Sequence, residues 1–248
     1  MDRIELCIKN REKLFKNGEL PNVPNHDMSE ILNYFIFGEV FESSELIDSK
    51  LRELITISIL TTNQLLVQLK VHLEAALNIG TSAVQIRETI YQCTPYIGFP
   101  KVLNALEVMN EVFDEKGIRT DGSKQKRVNE RNRFEKGLDV QKSIFGDVID
   151  NMHKNAPKNQ KHIQNYLSAM CFGDFYTRGG ISLKTREIIT LCCLISLGGC
   201  ESQVKAHIQG NINVGNTKDV LIAVITHCLP YVGFPRTLNA LSCLNEIV

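Results

Sequence analysis

The stretch PYIGFPKVLNAL at positions 95–106 returns as PYVGFPRTLNAL at positions 230–241, a spacing of 135 residues. Nearly the same offset links His72 with His207, Phe37 and Gly38 with Phe172 and Gly173, Arg52 and Glu53 with Arg186 and Glu187, and Asn33 and Tyr34 with Asn165 and Tyr166. The order never changes, so the 248-residue chain is an internal duplication. A period this long exceeds any solenoid unit and suits two homologous domains packed as a pseudo-dimer. Between the copies, residues 114–136 are dense in charge and carry Gly117 and Gly122, which reads as a linker running into a solvated helix. The boundary is placed there, giving a first domain of residues 1–121 and a second of 122–248.

Within each copy the apolar period is helical. Leu51, Leu54, Ile55, Ser58 and Ile59 mark one helix face, and Leu65, Leu69, Leu73, Ala76 and Leu77 mark another. Gly80 is placed to end the second of these, Ser82 with Gln85 forms a capping box for the next, and Asn213, Gly215 and Thr217 repeat the punctuation. That next helix runs from about Ala83 toward Thr94, Pro95 interrupts or kinks it, and helix resumes over 102–113. No stretch alternates as a strand does, so the expected fold is all-α, two helical domains side by side.

Composition narrows the function. Lys plus Arg and Asp plus Glu both number 28, without the basic excess that phosphate binding needs, so nucleic acid is not an expected partner. The longest apolar run, 188–200, is broken by Thr190, Ser196, Gly198 and Gly199 and falls short of the ~20 residues of a membrane span. No secretory leader is visible, and the cytoplasm is the expected location. The eight cysteines lie in helical patterns with no CxxC spacing, which argues for buried free thiols and gives no support to a metal site.

Several residues could carry chemistry. His72 and His207 sit at helical spacing on apolar faces, as core histidines or as proton carriers. Glu53 and Glu187 open apolar helices, either as carboxylates favoured by the helix dipole or as hydrogen-bond partners of those histidines. Arg178 lies in a glycine-bearing loop where the first copy has Ser43. An arginine there can clamp a carboxylate and a serine cannot. Tyr96 and Tyr231, in the Pro- and Gly-containing segments, are assigned to pocket walls.

These residues together resemble the carboxymuconolactone decarboxylase family, which also holds the AhpD-like alkylhydroperoxidases. The carriers are Arg52 and Glu53 with Arg186 and Glu187, then His72, Ala76 and Gly80 with His207, Asn211 and Gly215, and the two Tyr, Gly, Pro segments. They cover roughly 33–113 and 165–248. AhpD-like members carry two cysteines in CxxC ahead of the histidine; those positions are Leu65 and Gln68 in the first copy, Cys200 and Gln203 in the second. With Cys200 alone surviving, a thiol peroxidase or reductase would need a distant second thiol, and the decarboxylase branch fits better. A non-catalytic oligomeric binding protein is the third reading.

For the decarboxylase the resemblance implies a cofactor-independent lyase that removes carbon dioxide from a small carboxylated lactone or keto acid. Arg178 would hold the substrate, a backbone or tyrosine donor would stabilise the developing oxyanion, and His207 would protonate carbon, oriented by Glu187. His72 and Glu53 are the equivalent pair. The second copy, with its arginine, is expected to carry the activity, and the family's assembly implies a homo-oligomer, a trimer of tandem chains.

Overall fold

The computed structural model describes residues 2–15, 26–119 and 124–248; the boundary placed between 121 and 122 lies outside them. Among the described residues every regular element is helical. The first copy runs α1 (Arg3–Leu14), α2 (His26–Asn33), a π-helical segment Tyr34–Val40, the short α3 (Phe41–Ser43), α4 (Ser49–Asn63), α5 (Leu66–Asn78), α6 (Ala83–Ile97) and α7 (Phe99–Glu115). The second runs α8 (Arg133–Phe145), α9 (Val148–Asn155), α10 (Lys161–Tyr166), a π-helical segment Leu167–Tyr176, α11 (Leu183–Leu197), α12 (Glu201–Asn213) and α13 (Lys218–Ile247).

Matching local signals shape the two copies. Asp48 caps α4 by accepting from the Leu51 N–H, and Ser182 caps α11 through Thr185. At Gly80 (φ 78) the chain turns left-handed, and the N–H groups of Gly80 and Thr81 donate to the carbonyls of Leu77 and Ala76, satisfying the last turn of α5. The Ser82 and Gln85 capping box then starts α6.

The helix breaks later than Pro95 suggests. α6 runs through that proline and stops at Gly98, whose φ of 83 with ψ of 159 is open only to glycine, and Pro100 falls in the first turn of α7. A proline near a helix end forfeits one backbone hydrogen bond, whereas the Gly98 angles end the ladder. Gly233 (φ 79, ψ 166) divides the 30-residue α13 in the same way. That element is long and apolar enough by composition to cross a membrane, but neither limb reaches ~20 residues.

The helix after the linker is not a solvated one. Gly137, Gln141 and Ile144 form a buried stripe on α8, and a Cβ at Gly137 would collide with the Ser168 carbonyl and the Gly173 backbone. α1 presses on the first-copy π-helix likewise: Gly38 meets the Arg3 carbonyl as Gly173 meets that of Arg133. The duplication therefore extends to α1 and α8, with Phe15 and Phe145 in matching places against Phe37 and Phe172.

α4 and α11 pack against each other between the copies. Ile57 and Leu60 share a cluster with Ile189 and Cys193, and Ile55 and Ile59 share one with Ile188, Cys192, Val224 and Cys228. Each such buried aliphatic side chain contributes about 1.5–3 kcal/mol, so the copies are joined through their cores. One consequence places the candidate sites: α6 lies against α11 of the other copy, and α13 lies against α4.

Candidate active site

Glu187 is fully buried within α11, and His207 on α12 places Nδ1 2.9 Å from its Oε2. A carboxylate oxygen only accepts, so Nδ1–H donates and Nε2 is the nitrogen left for a substrate. The other carboxylate oxygen accepts from the Tyr176 hydroxyl at 2.7 Å. The Tyr176 oxygen in turn lies 2.9 Å from the Tyr96 hydroxyl and 2.8 Å from Thr190 Oγ1. Burial and then neighbouring negative groups push both phenols well above their ordinary range, so both hold their protons. Tyr96 and Phe145 set their rings edge-on to the His207 imidazole, at 5.6 and 5.4 Å between centroids. Gly210, one turn beyond His207, gives these groups room: a Cβ there would stand 2.6 Å from Glu187 Oε2 and 2.9 Å from Phe145.

Tyr96 belongs to the first copy, so the site is built across the duplication. Glu88, Gln92 and Tyr96 recur every four residues on α6 and form one face turned toward α11. Gln92 Nε2 donates to Thr190 Oγ1 at 3.2 Å, and Gln92 Oε1 accepts from Arg186 at 2.8 Å. Reciprocally, Tyr231 of α13 sets its ring edge-on to His72, at 5.9 Å. Each tyrosine thus packs against the histidine of the copy to which it does not belong.

Arg178 does not join this group. Both its Nε and Nη2 donate to the Glu88 carboxylate at 2.8 Å, and its guanidinium stacks over Tyr91 at 5.0 Å. Burial works to lower its pKa, and the hydrogen bonds and charge of Glu88 overcome this and raise it. Arg186, also buried, reaches the same carboxylate at 3.3 Å and donates to the carbonyls of Arg178 and Gly179. A fully buried carboxylate needs such partners, and this demand holds the arginine that the sequence reading offered to substrate.

The first copy keeps the acid and the histidine but not their surroundings. His72 Nδ1 lies 2.9 Å from Glu53 Oε2, the same pairing as in the second copy. Phe41 stands where the second copy has Tyr176, Ala223 where the first has Glu88, and His227 where it has Gln92. Arg52, buried with no carboxylate in hydrogen-bond reach among the described residues, donates to the carbonyls of Phe41, Ser44 and Ile47 and to the Ser44 hydroxyl. Burial brings its pKa down to about 10. His227 Nε2 lies 3.0 Å from Thr56 Oγ1 and 3.2 Å from the Arg52 carbonyl, which can only accept, so Nε2 carries the hydrogen; among the described residues buried Nδ1 has no hydrogen-bond partner. Burial and then the charge of Arg52 push this imidazole down to about 3, so it is neutral.

Cys200 precedes α12, its thiol donating to the Leu194 carbonyl at 3.3 Å. Burial and then Glu201 raise its pKa, the opposite of what activates a thiolate. Two open clefts flank the copies. One of about 440 Å³ borders Tyr176 and carries Arg127, Lys136 and Arg178 against Asp139. Its counterpart of about 470 Å³ borders Phe41 and sets Lys9, Lys13 and Arg52 against Glu42, Glu45 and Asp48.

Tyr176, Glu88, Gln92, His227 and Phe145 escaped the sequence reading. The four-residue recurrence of Glu88, Gln92 and Tyr96 along one face of α6 was the available signal for the crossing between copies.

A family model described as the carboxymuconolactone decarboxylase family matches residues 27–111 and again 161–246. The 4-carboxymuconolactone decarboxylase of Acinetobacter baylyi is 29% identical over 121 residues, which is 48% of this chain and 90% of that protein. The nitrosuccinic acid decarboxylase of Metarhizium robertsii is 26% identical over 119 residues, 48% of this chain and 82% of its own length. An uncharacterized 15.0 kDa protein of Paracoccus denitrificans is 35% identical over 98 residues, 39% of this chain and 69% of that protein. Each is matched by half of this chain or less, as a repeated domain requires, and the chain belongs to the carboxymuconolactone decarboxylase family as a tandem duplication of its domain.

Proposed function

We propose that the protein is a cofactor-independent decarboxylase of small carboxylic acids whose β-carbon bears, or is conjugated to, an electron-accepting group, and that the Glu187 and His207 site does the work. The observation that carries this reading is the Nδ1 hydrogen bond of His207 to buried Glu187, which leaves Nε2 for proton transfer. Carbon dioxide departs from the substrate carboxylate, the electron pair passes into a lactone carbonyl or similar acceptor, and imidazolium Nε2–H returns a proton to carbon. Two relatives named as decarboxylases support the reaction class. The phenol of Tyr176 on Glu187, which Phe41 cannot supply to Glu53, favours the second copy. The matched exposed pairs Phe99 with Leu103 and Phe234 with Leu238 support assembly as a homo-oligomer, which we take to be a trimer.

The test is carbon dioxide release from 4-carboxymuconolactone, nitrosuccinate and a panel of keto acids. His207→Ala should lower turnover by about 10² or more, the worth of a positioned acid or base, with His72→Ala much milder. No release from any member overturns the reaction class. Loss of turnover in His72→Ala but not in His207→Ala overturns the choice of copy.

A further inference from the structure

We propose that Tyr176 and Tyr96 are positioning residues of the second site: Tyr176 fixes the Glu187 carboxylate and Tyr96, from the other copy, fixes Tyr176. The chain of donors runs one way. Tyr96 O–H donates to the Tyr176 oxygen at 2.9 Å, and Tyr176 O–H donates to Glu187 Oε1 at 2.7 Å. Glu187 Oε2 is thereby left to accept from His207 Nδ1–H at 2.9 Å. Thr190 adds a further contact to the Tyr176 oxygen at 2.8 Å, itself held by Gln92 of α6. Every hydroxyl in the chain is buried or half-buried, so water does not substitute for a missing link at low cost.

The first copy supplies a natural comparison. Phe41 occupies the Tyr176 position, so Glu53 receives no phenol from that element, while the Glu53 and His72 distance is unchanged at 2.9 Å. A phenylalanine is therefore compatible with the fold here, and the difference lies in how firmly the carboxylate is held. The hydroxyl pair marks the second copy as the one in which the imidazole keeps a single orientation. The role in turnover rests on the decarboxylase reading; the role in holding His207 does not.

The experiment uses the full chain labelled with ¹⁵N-histidine and reads the Nδ1–H proton of His207, identified by its loss in His207→Gln. Tyr176→Phe should speed its exchange with solvent about tenfold or more, the worth of one hydrogen bond to a charged group, and move it upfield. Tyr96→Phe should do the same to a smaller extent, and the His72 signal should not move in either. With a turned-over substrate, Tyr176→Phe should lower kcat at least as strongly while KM stays within about twofold. An unchanged His207 signal in Tyr176→Phe, or in Tyr96→Phe should the first variant not fold, overturns the proposal whether or not a substrate is found. Absence of turnover alone counts against the decarboxylase reading and leaves the spectroscopic result to decide this one.

Discussion

Replacing Glu88 by alanine should be among the most damaging single changes in the chain. The carboxylate is fully buried and holds two guanidinium groups, Arg186 at 1% and Arg178 at 15% side-chain exposure. Removing it leaves Arg186 with its charge inside the protein and, among the described residues, Gln92 and two backbone carbonyls as its hydrogen-bond partners. Breaking a buried pair in this way costs about 3–5 kcal/mol. Arg178→Ser should cost less, about 1–3 kcal/mol, because Glu88 keeps Arg186 as partner. The double variant recreates the Ala223 and Ser43 combination of the other copy, and its cost should fall short of the sum by about 1–3 kcal/mol, since the same contact is removed in both singles. Urea unfolding followed by circular dichroism at 222 nm measures all three. Additivity within ~0.5 kcal/mol, or an Arg178→Ser variant as stable as the parent, would refute the view of Arg178 as a strut and return it to the substrate.

Other expectations are more compact. His227 is neutral in the fold at about 3 against ~6.5 unfolded, so the unfolded chain binds the extra proton. The stability present above pH ~6.5 is therefore lost as pH falls toward 3, by up to about 1.4 kcal/mol per pH unit. His227→Gln, the residue type of the matching position 92, should flatten that slope, and parallel acid-unfolding curves would contradict the assignment. Cys200→Ser should leave decarboxylation within about twofold, since the thiol donates to the Leu194 carbonyl and otherwise packs against the apolar cluster of Leu191, Leu194 and Val204; abolished peroxide consumption in the same variant would favour the thiol chemistry instead. Gly210→Ala should push Glu187 and Phe145 away and lower turnover at least tenfold with little loss of helix content, read from kcat and circular dichroism together. Leu103→Glu with Leu238→Glu should shift the mass in light scattering from an oligomer to a single chain; a single-chain mass for the parent would refute the assembly.

The duplication, the helical class and the acid and histidine pairs were legible because each leaves a periodic trace. Leu51, Leu54 and Ile55 show a helix face without any partner, and Glu53 and His72, 19 residues apart, recur as Glu187 and His207, 20 apart. α8 was not legible, because its charges mask the Gly137, Gln141 and Ile144 stripe and its match to α1 is carried by shape more than by identity. Arg178 was legible as a cation but not as one already neutralised: Glu88 lies 90 residues away, and nothing local ties the two. Tyr96 was read as a pocket wall but not as one beside the histidine of the other copy, since the pairing of α6 with α11 is a tertiary fact.

The crossing of α6 and α13 between copies bears on how the molecule could diverge. In a symmetric dimer encoded by one unduplicated gene, a change at the Glu88 position would alter both sites at once, and losing that carboxylate would strand an arginine in each. In the fused chain the two positions mutate separately. Ala223 with Ser43 stands on one side while Glu88 with Arg178 stands on the other, so one copy can lose its ion pair while its helix continues to furnish a tyrosine beside the histidine of the other. The fusion converts a symmetric constraint into two independent ones, and the first copy contributes Tyr96 to the surroundings of His207 whatever becomes of its own acid and histidine pair.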